Sequence, residues 1–227
     1  MNRKPLQTDE SWENDAVWKL LDQAPTAAPG PRFVDDTLRA AWGLGPDDVA
    51  VIYVGRVAAE KNLELSIRAF RAIQQAQPTA KFVWVGDGPL RERLAQEHPD
   101  FLFCGVQRGE ALARHFASGD LFLFSSHSET FGNVTLEAMA CARPVVAAAA
   151  TGSESLVDDG ASGRLIRPGA IHQFAEALRA YIEQGDLRTR HGAAGEARAM
   201  EFSWDRINQA VADTYLRLIR QRAAARR

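Results

Sequence analysis

From Val49 onward, apolar runs of strand length alternate with stretches whose apolar residues recur at helical spacing. Val49-Ala50-Val51-Ile52-Tyr53-Val54 reads as a buried strand ending at Gly55. Leu63, Ile67, Phe70 and Ile73 then make a stripe of helical period. Phe82-Val83-Trp84-Val85 is a second strand, closed by Gly86-Asp87-Gly88-Pro89. Pro89 is placed to open the next helix, where its missing N–H would be unpaired anyway. Further strands are expected at Phe101–Cys104, Leu121–Phe124, Pro144–Ala147 and Arg164–Ile166, with helices at Glu110–Ala117 and Val134–Cys141. The remainder reads as helices over 171–182, 187–200 and 205–220. Alternation of this kind predicts an α/β fold, a parallel sheet with helices on both faces, and a helical C-terminus. Such sheets bind ligands beyond the carboxyl ends of their strands. The loops after Val54, Val85, Cys104, Phe124 and Ala147 are therefore where chemistry is expected.

The first 45 residues lack this rhythm. They carry a Pro/Gly-rich stretch at Pro25, Pro29, Gly30 and Pro31, flanked by helix-like pieces around Trp12–Leu21 and Val34–Trp42. We read residues 1–45 as a leader or linker, 46–222 as one domain and 223–227 as a basic tail. A length of 227 residues with 46% hydrophobic content supports one large domain with a sizeable core. A net charge of −2 gives no basic face for nucleic acid. The two cysteines, Cys104 and Cys141, form no C-x-x-C pair and no cluster with histidine, so free thiols in a reducing compartment are expected. No apolar run reaches the length of a membrane helix, and the polar, acidic start is unlike a signal peptide. The expected location is the cytoplasm.

Two stretches carry candidate chemistry. The first is Ser128-Glu129-Thr130-Phe131-Gly132-Asn133-Val134-Thr135-Leu136-Glu137-Ala138, between a buried strand and a helix. Gly132 allows close backbone approach to a ligand, and the first N–H groups of the Val134 helix make an anion site. Glu129 in the loop and Glu137 in the first helical turn bracket the corner; a carboxylate there can accept two hydroxyls of a sugar diol. The plain alternative is an ordinary corner in which Glu137 complements the helix dipole. The second stretch is Gly55-Arg56-Val57-Ala58-Ala59-Glu60-Lys61-Asn62. Gly55 permits a tight turn, Arg56 offers a planar fork for phosphate oxygens and Lys61 adds a point charge. Its plain alternative is two surface cations beside a turn.

These stretches, taken with Val85-Gly86-Asp87-Gly88-Pro89 and Arg143-Pro144-Val145-Val146-Ala147, resemble the retaining glycosyltransferases of family four in order and spacing. Asp159-Gly160, Ser162-Gly163-Arg164-Leu165 and Phe202-Ser203-Trp204 extend the likeness over roughly Leu38 to Arg220. The resemblance implies a single C-terminal, Rossmann-like half of a GT-B fold that binds a nucleotide-diphosphate sugar, a UDP- or GDP-hexose, with no other cofactor. Arg56 and Lys61 would hold the diphosphate, and Glu137 the ribose hydroxyls. Glu129 would orient the transferred sugar, and Arg56, Lys61 and Glu129 together would be the catalytic set. The backbone around Phe131, Gly132 and Asn133 would touch sugar and phosphate, and Gly105-Val106 would border the base. Fixed cations are one way to meet charge on a leaving diphosphate. A metal is the other; with no Asp-x-Asp triplet in view, a metal-independent site is expected. The stretch Ala150-Thr151-Gly152-Ser153-Glu154-Ser155 departs from the family's Gly-Gly pair and following glutamate, and Ser125 stands where proline is common. The second domain of the family, which supplies the acceptor side, has no counterpart in residues 1–45. A truncated chain is the expectation that follows, one that needs an acceptor-domain partner or self-association to cover its cleft side.

Other features have plainer readings. His127 adjoins the key loop, where a solvated ring and a sugar contact are the two options. Trp42, Trp84 and Trp204 read as packing residues. Arg217, Arg220, Arg222, Arg226 and Arg227 on an amphipathic helix suit either a helix C-terminus or peripheral contact with an anionic membrane. Three functions compete: a retaining hexosyltransferase, a non-catalytic nucleotide-sugar-binding module, and a nucleotide-sugar epimerase of GT-B fold. Glu129 and Glu137 together with Arg56 and Lys61 favour the first ancestry over the last.

Overall fold

The computed structural model describes residues 34–129, 131–202 and 204–224. The helix-like piece at Trp12–Leu21, the Pro/Gly-rich stretch and residues 225–227 of the tail lie outside the described residues. Among the described residues six strands form one sheet: β1 (Ala50–Val54), β2 (Lys81–Val85), β3 (Leu102–Phe103), β4 (Leu121–Phe124), β5 (Val145–Ala148) and β6 (Gly163–Ile166). Their order is β3-β2-β1-β4-β5-β6 and every pairing is parallel. The helices are α1 (Asp36–Ala41), α2 (Leu63–Gln74), α3 (Arg91–Glu97), α4 (Gly109–Ser118), α5 (Asn133–Ala140), α6 (Thr151–Leu156), α7 (Ile171–Glu183), α8 (Gly185–Ala199) and α9 (Trp204–Ala224).

All residues of β1, β4 and β5 are buried, as continuous apolar strands covered on both faces must be. The α/β sheet with surrounding helices is the predicted Rossmann-like architecture. An aromatic cluster fills one half of the core, where the Tyr53, Phe82, Trp84 and Phe101 rings lie 4.8–6.3 Å apart. α2 packs on α7, and α5 on α8. The strand order reverses direction between β1 and β4, so the crevice at the carboxyl ends opens there.

Part of the segment before residue 45 belongs to this body. Asp35 caps α1 by accepting from the Leu38 N–H at 3.0 Å. Arg39, from α1, is nearly buried and donates to Asp120 (2.8 Å) and to the carbonyls of Ser118 (2.8 Å) and Asp48 (2.7 Å). Trp42 and Leu44 join the core.

Two local expectations fail. Pro89 does not open a helix: it sits in a turn closed by Arg91 N–H to Gly88 C=O, and α3 begins at Arg91. The Gly88 backbone is pressed so closely on Val57 that a Cβ there would stand 2.4 Å from the Val57 carbonyl oxygen, which fixes the path before the helix starts. Residues 151–156 form a helix that hydrophobic periodicity missed, because Thr-Gly-Ser-Glu-Ser-Leu offers a single large apolar side chain.

Candidate nucleotide-sugar site

The loops after β1 and β4 flank the switch point, and they carry the two candidate stretches. After β1 the chain leaves through Gly55 (φ 150°) and winds a single 3-10 turn, Ala59–Lys61. Asn62 follows in the left-handed region, with φ 52° and ψ 42°, and α2 begins at the next residue. Side-chain hydroxyls clamp this loop by its carbonyls. Tyr53 donates to the Arg56 carbonyl at 2.9 Å, Ser128 to that of Glu60 at 3.1 Å, and Ser125 to that of Asn62 at 2.8 Å. Burial, with Glu129 and Glu60 nearby, pushes the Tyr53 phenol up and keeps it a neutral donor.

The loop after β2 locks onto the loop after β1. Val57 N–H bonds the Asp87 carbonyl at 2.9 Å, and Gly55 N–H the Val85 carbonyl at 3.0 Å. Gly86 has φ 135°, and a Cβ on it would stand 2.0 Å from the Gly55 oxygen, so only glycine fits. The Gly86 N–H in turn holds the Gly105 carbonyl at 2.7 Å, which sets the next loop beside it and leaves Val106 exposed at its tip.

After β4, Ser125 and Ser126 are buried, and His127 and Ser128 are exposed. Glu129 is mostly covered, and its carboxylate forms an ion pair and hydrogen bond with the Lys61 ammonium. The Lys61 ammonium also stands 5.8 Å from the Phe124 ring centroid. Two residues expected to serve different parts of a ligand are thus joined across the switch point. Arg56 is different: it is exposed, and its contact is a loose one with Glu60 at 3.4 Å.

The β4–α5 corner turns at Gly132, φ 89°, which is the N-cap of α5. The N–H groups of Thr135 and Leu136 close on the Gly132 carbonyl, and Asn133 leads the helix. Phe131 is exposed at the corner, and its ring meets Phe202 edge-on with centroids 6.1 Å apart. Gly152, in α6, lies against the same corner: a Cβ there would be 2.8 Å from the Phe131 carbonyl carbon. The glycine that survives in the departing stretch is the one the corner needs.

Glu137 requires a correction. α5 begins at Asn133, so Glu137 lies in the second turn, not the first, and α5 has no acidic residue in its first turn. It is buried, 6% exposed, and burial pushes its carboxyl up to about 7. Dipole complementation, the plain alternative, loses its basis at that depth. The sequence also undervalued Ser125 and overlooked Ser66 and Tyr53. The available signal was a serine inside the buried stripe of α2 and another directly after an apolar strand. No group of three or more histidine, cysteine, aspartate or glutamate side chains suited to a metal ion occurs among the described residues. Both cysteines are free thiols. No helix among the described residues is long and apolar enough to cross a membrane.

Comparison with known proteins bears on this site. The sequence model of the family described as Glycosyl transferases group 1 matches residues 48–184. The sulfoquinovosyl transferase SQD2 of Arabidopsis thaliana is 34% identical over 180 residues, 77% of this chain and 34% of that protein. Among solved structures, Anabaena HepE in complex with UDP and glucose superposes with a TM-score of 0.69 at 28% identity, over 79% of this chain and 51% of that one. The C-terminal domain of a Francisella tularensis group 1 glycosyl transferase shares the fold, with a TM-score of 0.65 at 21% identity, over 75% of this chain and 94% of that one. The chain spans about a third to a half of the length of the curated relatives it matches.

Proposed function

This chain belongs to the group 1 glycosyl transferases, and from that premise we propose that it binds the nucleoside-diphosphate hexose donor of a hexosyl transfer that retains configuration. The observation that carries the reading is the joining of Lys61 to Glu129 across the switch point, with Arg56 exposed on the same loop and only loosely paired to Glu60. HepE, 28% identical, is described with UDP and with UDP-glucose, which favours UDP over GDP as the nucleotide.

In this reading each residue has a chemical task. Glu137 accepts hydrogen bonds from both ribose hydroxyls, and Val106 borders the base. Lys61 has three N–H bonds; one is given to Glu129, and the others are available for diphosphate oxygens. Arg56 adds a planar fork on the exposed side. As the bond to the sugar breaks, negative charge grows on the diphosphate; Lys61, held by Glu129, meets it without reorganising, and Arg56 adds a second cation from the exposed side. That arrangement supports a site that works without a metal. Glu129 keeps one carboxylate oxygen for a sugar hydroxyl while the other fixes Lys61. The backbone of Phe131, Gly132 and Asn133 lines the sugar and phosphate.

Calorimetry with UDP, GDP and ADP, with and without EDTA, tests this. Binding of UDP at micromolar to millimolar concentration, unchanged by EDTA, is expected. No heat and no thermal shift with any of the three at millimolar concentration would overturn it.

A further inference from the structure

The geometry points to Ser125, together with Ser66, as positioning residues that hold Lys61 in register with the donor diphosphate; this inference rests on the donor-binding reading above. Lysine is a point charge on a flexible four-carbon stem, so its reach is set by where its backbone is held. That backbone is unusual. Lys61 ends a single 3-10 turn, and Asn62 behind it adopts the left-handed conformation, which asparagine tolerates better than other non-glycine residues and which turns the chain into α2.

The support comes from beneath. Ser66 and Ser125 are both fully buried, and their hydroxyl oxygens are 2.7 Å apart. Ser125 Oγ also lies 2.8 Å from the Asn62 carbonyl oxygen and 3.3 Å from that of Lys61. Proton counting fixes the direction. A carbonyl cannot donate, so a bond to Asn62 or Lys61 uses the single proton of Ser125, and Ser66 is then the donor to Ser125. The chain Ser66 Oγ–H to Ser125 Oγ–H to Asn62 C=O runs one way, from α2 through the end of β4 into the turn that carries Lys61. Asn62 Nδ2 returns a long contact, 3.5 Å, to the Ser125 carbonyl. β4 also supplies Phe124 under the Lys61 ammonium, and the loop after it, four residues beyond Ser125, supplies Glu129 beside it. One short segment therefore fixes both the backbone and the ammonium of Lys61. Buried as they are, neither serine touches the donor.

The test separates phosphate recognition from ribose recognition. Affinities for UDP and for uridine are measured by ligand-observed NMR on the full chain and on its Ser125→Ala, Ser66→Ala and Lys61→Met variants. Ser125→Ala is expected to weaken UDP about fivefold to tenfold while uridine stays within about twofold. Ser66→Ala, which leaves the Ser125 bond to Asn62 in place, is expected to lose less. Added to Lys61→Met, Ser125→Ala should cost no further UDP affinity. Equal losses of UDP and uridine, no loss of either, or a loss that persists in the Lys61→Met background would overturn the inference. If Ser125→Ala does not fold, Ser66→Ala is judged by the same ratio. A parent chain that binds no UDP overturns the donor-binding reading and this inference with it; one that binds UDP without the expected split overturns this inference alone.

Discussion

Burial raises the Glu137 carboxyl to about 7, so near neutrality the folded protein still holds part of a proton that the unfolded chain has released. The folded pKa is the higher one. Stability from this group is therefore fully present below the ordinary carboxylate value and is lost as pH rises from about 4.5 through about 7. Glu137→Gln should leave Tm nearly unchanged at pH 4 and raise stability on the order of 1–3 kcal/mol at pH 8. Thermal melts across that range check it; a variant that gains nothing at pH 8 contradicts the burial argument. In the proposed role the same residue is needed for ribose, so Glu137→Ala should weaken UDP about tenfold to a hundredfold. Glu129→Ala should leave UDP affinity unchanged or improved, because it removes a competitor for Lys61. Calorimetry on the two variants decides; equal losses would contradict the assignment. Arg56, Lys61, Glu129 and Glu137 were all identifiable as candidates from side-chain chemistry within two short stretches. The Lys61–Glu129 pairing was not, because the partners are far apart in sequence and the distance between them is set by adjacent strands β1 and β4.

At the scale of elements, the glycine in α6 is decided by a neighbour. Gly152→Ala would drive a methyl against the backbone of Phe131 and Gly132, which cannot yield as a side chain can. A stability loss of about 1–3 kcal/mol is expected, with a larger loss of UDP-sugar affinity than of UDP affinity. Denaturant titration and calorimetry measure the two; unchanged values for both would mean that the α6 contact is slack. α1 is held by chemistry of another kind. Arg39→Ala would remove three bonds and leave Asp120 with the Ala50 N–H, at 2.7 Å, as its hydrogen-bond donor among the described residues. Unfolding in denaturant should show a loss of about 2–4 kcal/mol; a loss under 1 kcal/mol would show that α1 is held by its other contacts, such as Trp42, Leu44 and the Asp35 bond to Ser118. Periodicity found the six strands and most helices because burial on both faces, or on one stripe, leaves a mark in the sequence. It missed α6, whose short polar turn is shaped by the corner beside it, and misplaced Pro89, whose setting depends on the close approach of Gly88 to Val57.

Among the described residues of the whole molecule, α9 presents a conspicuous apolar surface. Val211, Tyr215, Leu216, Leu218 and Ile219 on α9 are all about half exposed or more. Among the described residues α9 packs mainly on the turn 200–202 that precedes it. Exposed apolar patches of this kind favour association. Light scattering on the full chain is expected to show mass rising with concentration. A version ending at Ala210 should stay monomeric with a melting temperature within a few degrees, since residues 211–222 are exposed along their whole length. A concentration-independent mass for both versions would show that the α9 face is already covered.

The sequence by itself determined the α/β layout, the loops that carry the candidate residues and the family, because these depend on local periodicity and on short motifs that one stretch of chain can hold. Tertiary structure alone decided three things: that β1 and β4 are neighbours, that Lys61 and Glu129 therefore meet, and that Ser66 and Ser125 brace the turn between them. Each depends on strand order, in which residues more than fifty positions apart become adjacent. Order in a parallel sheet is set by how whole elements bury their faces, a quantity that no single stretch of sequence contains.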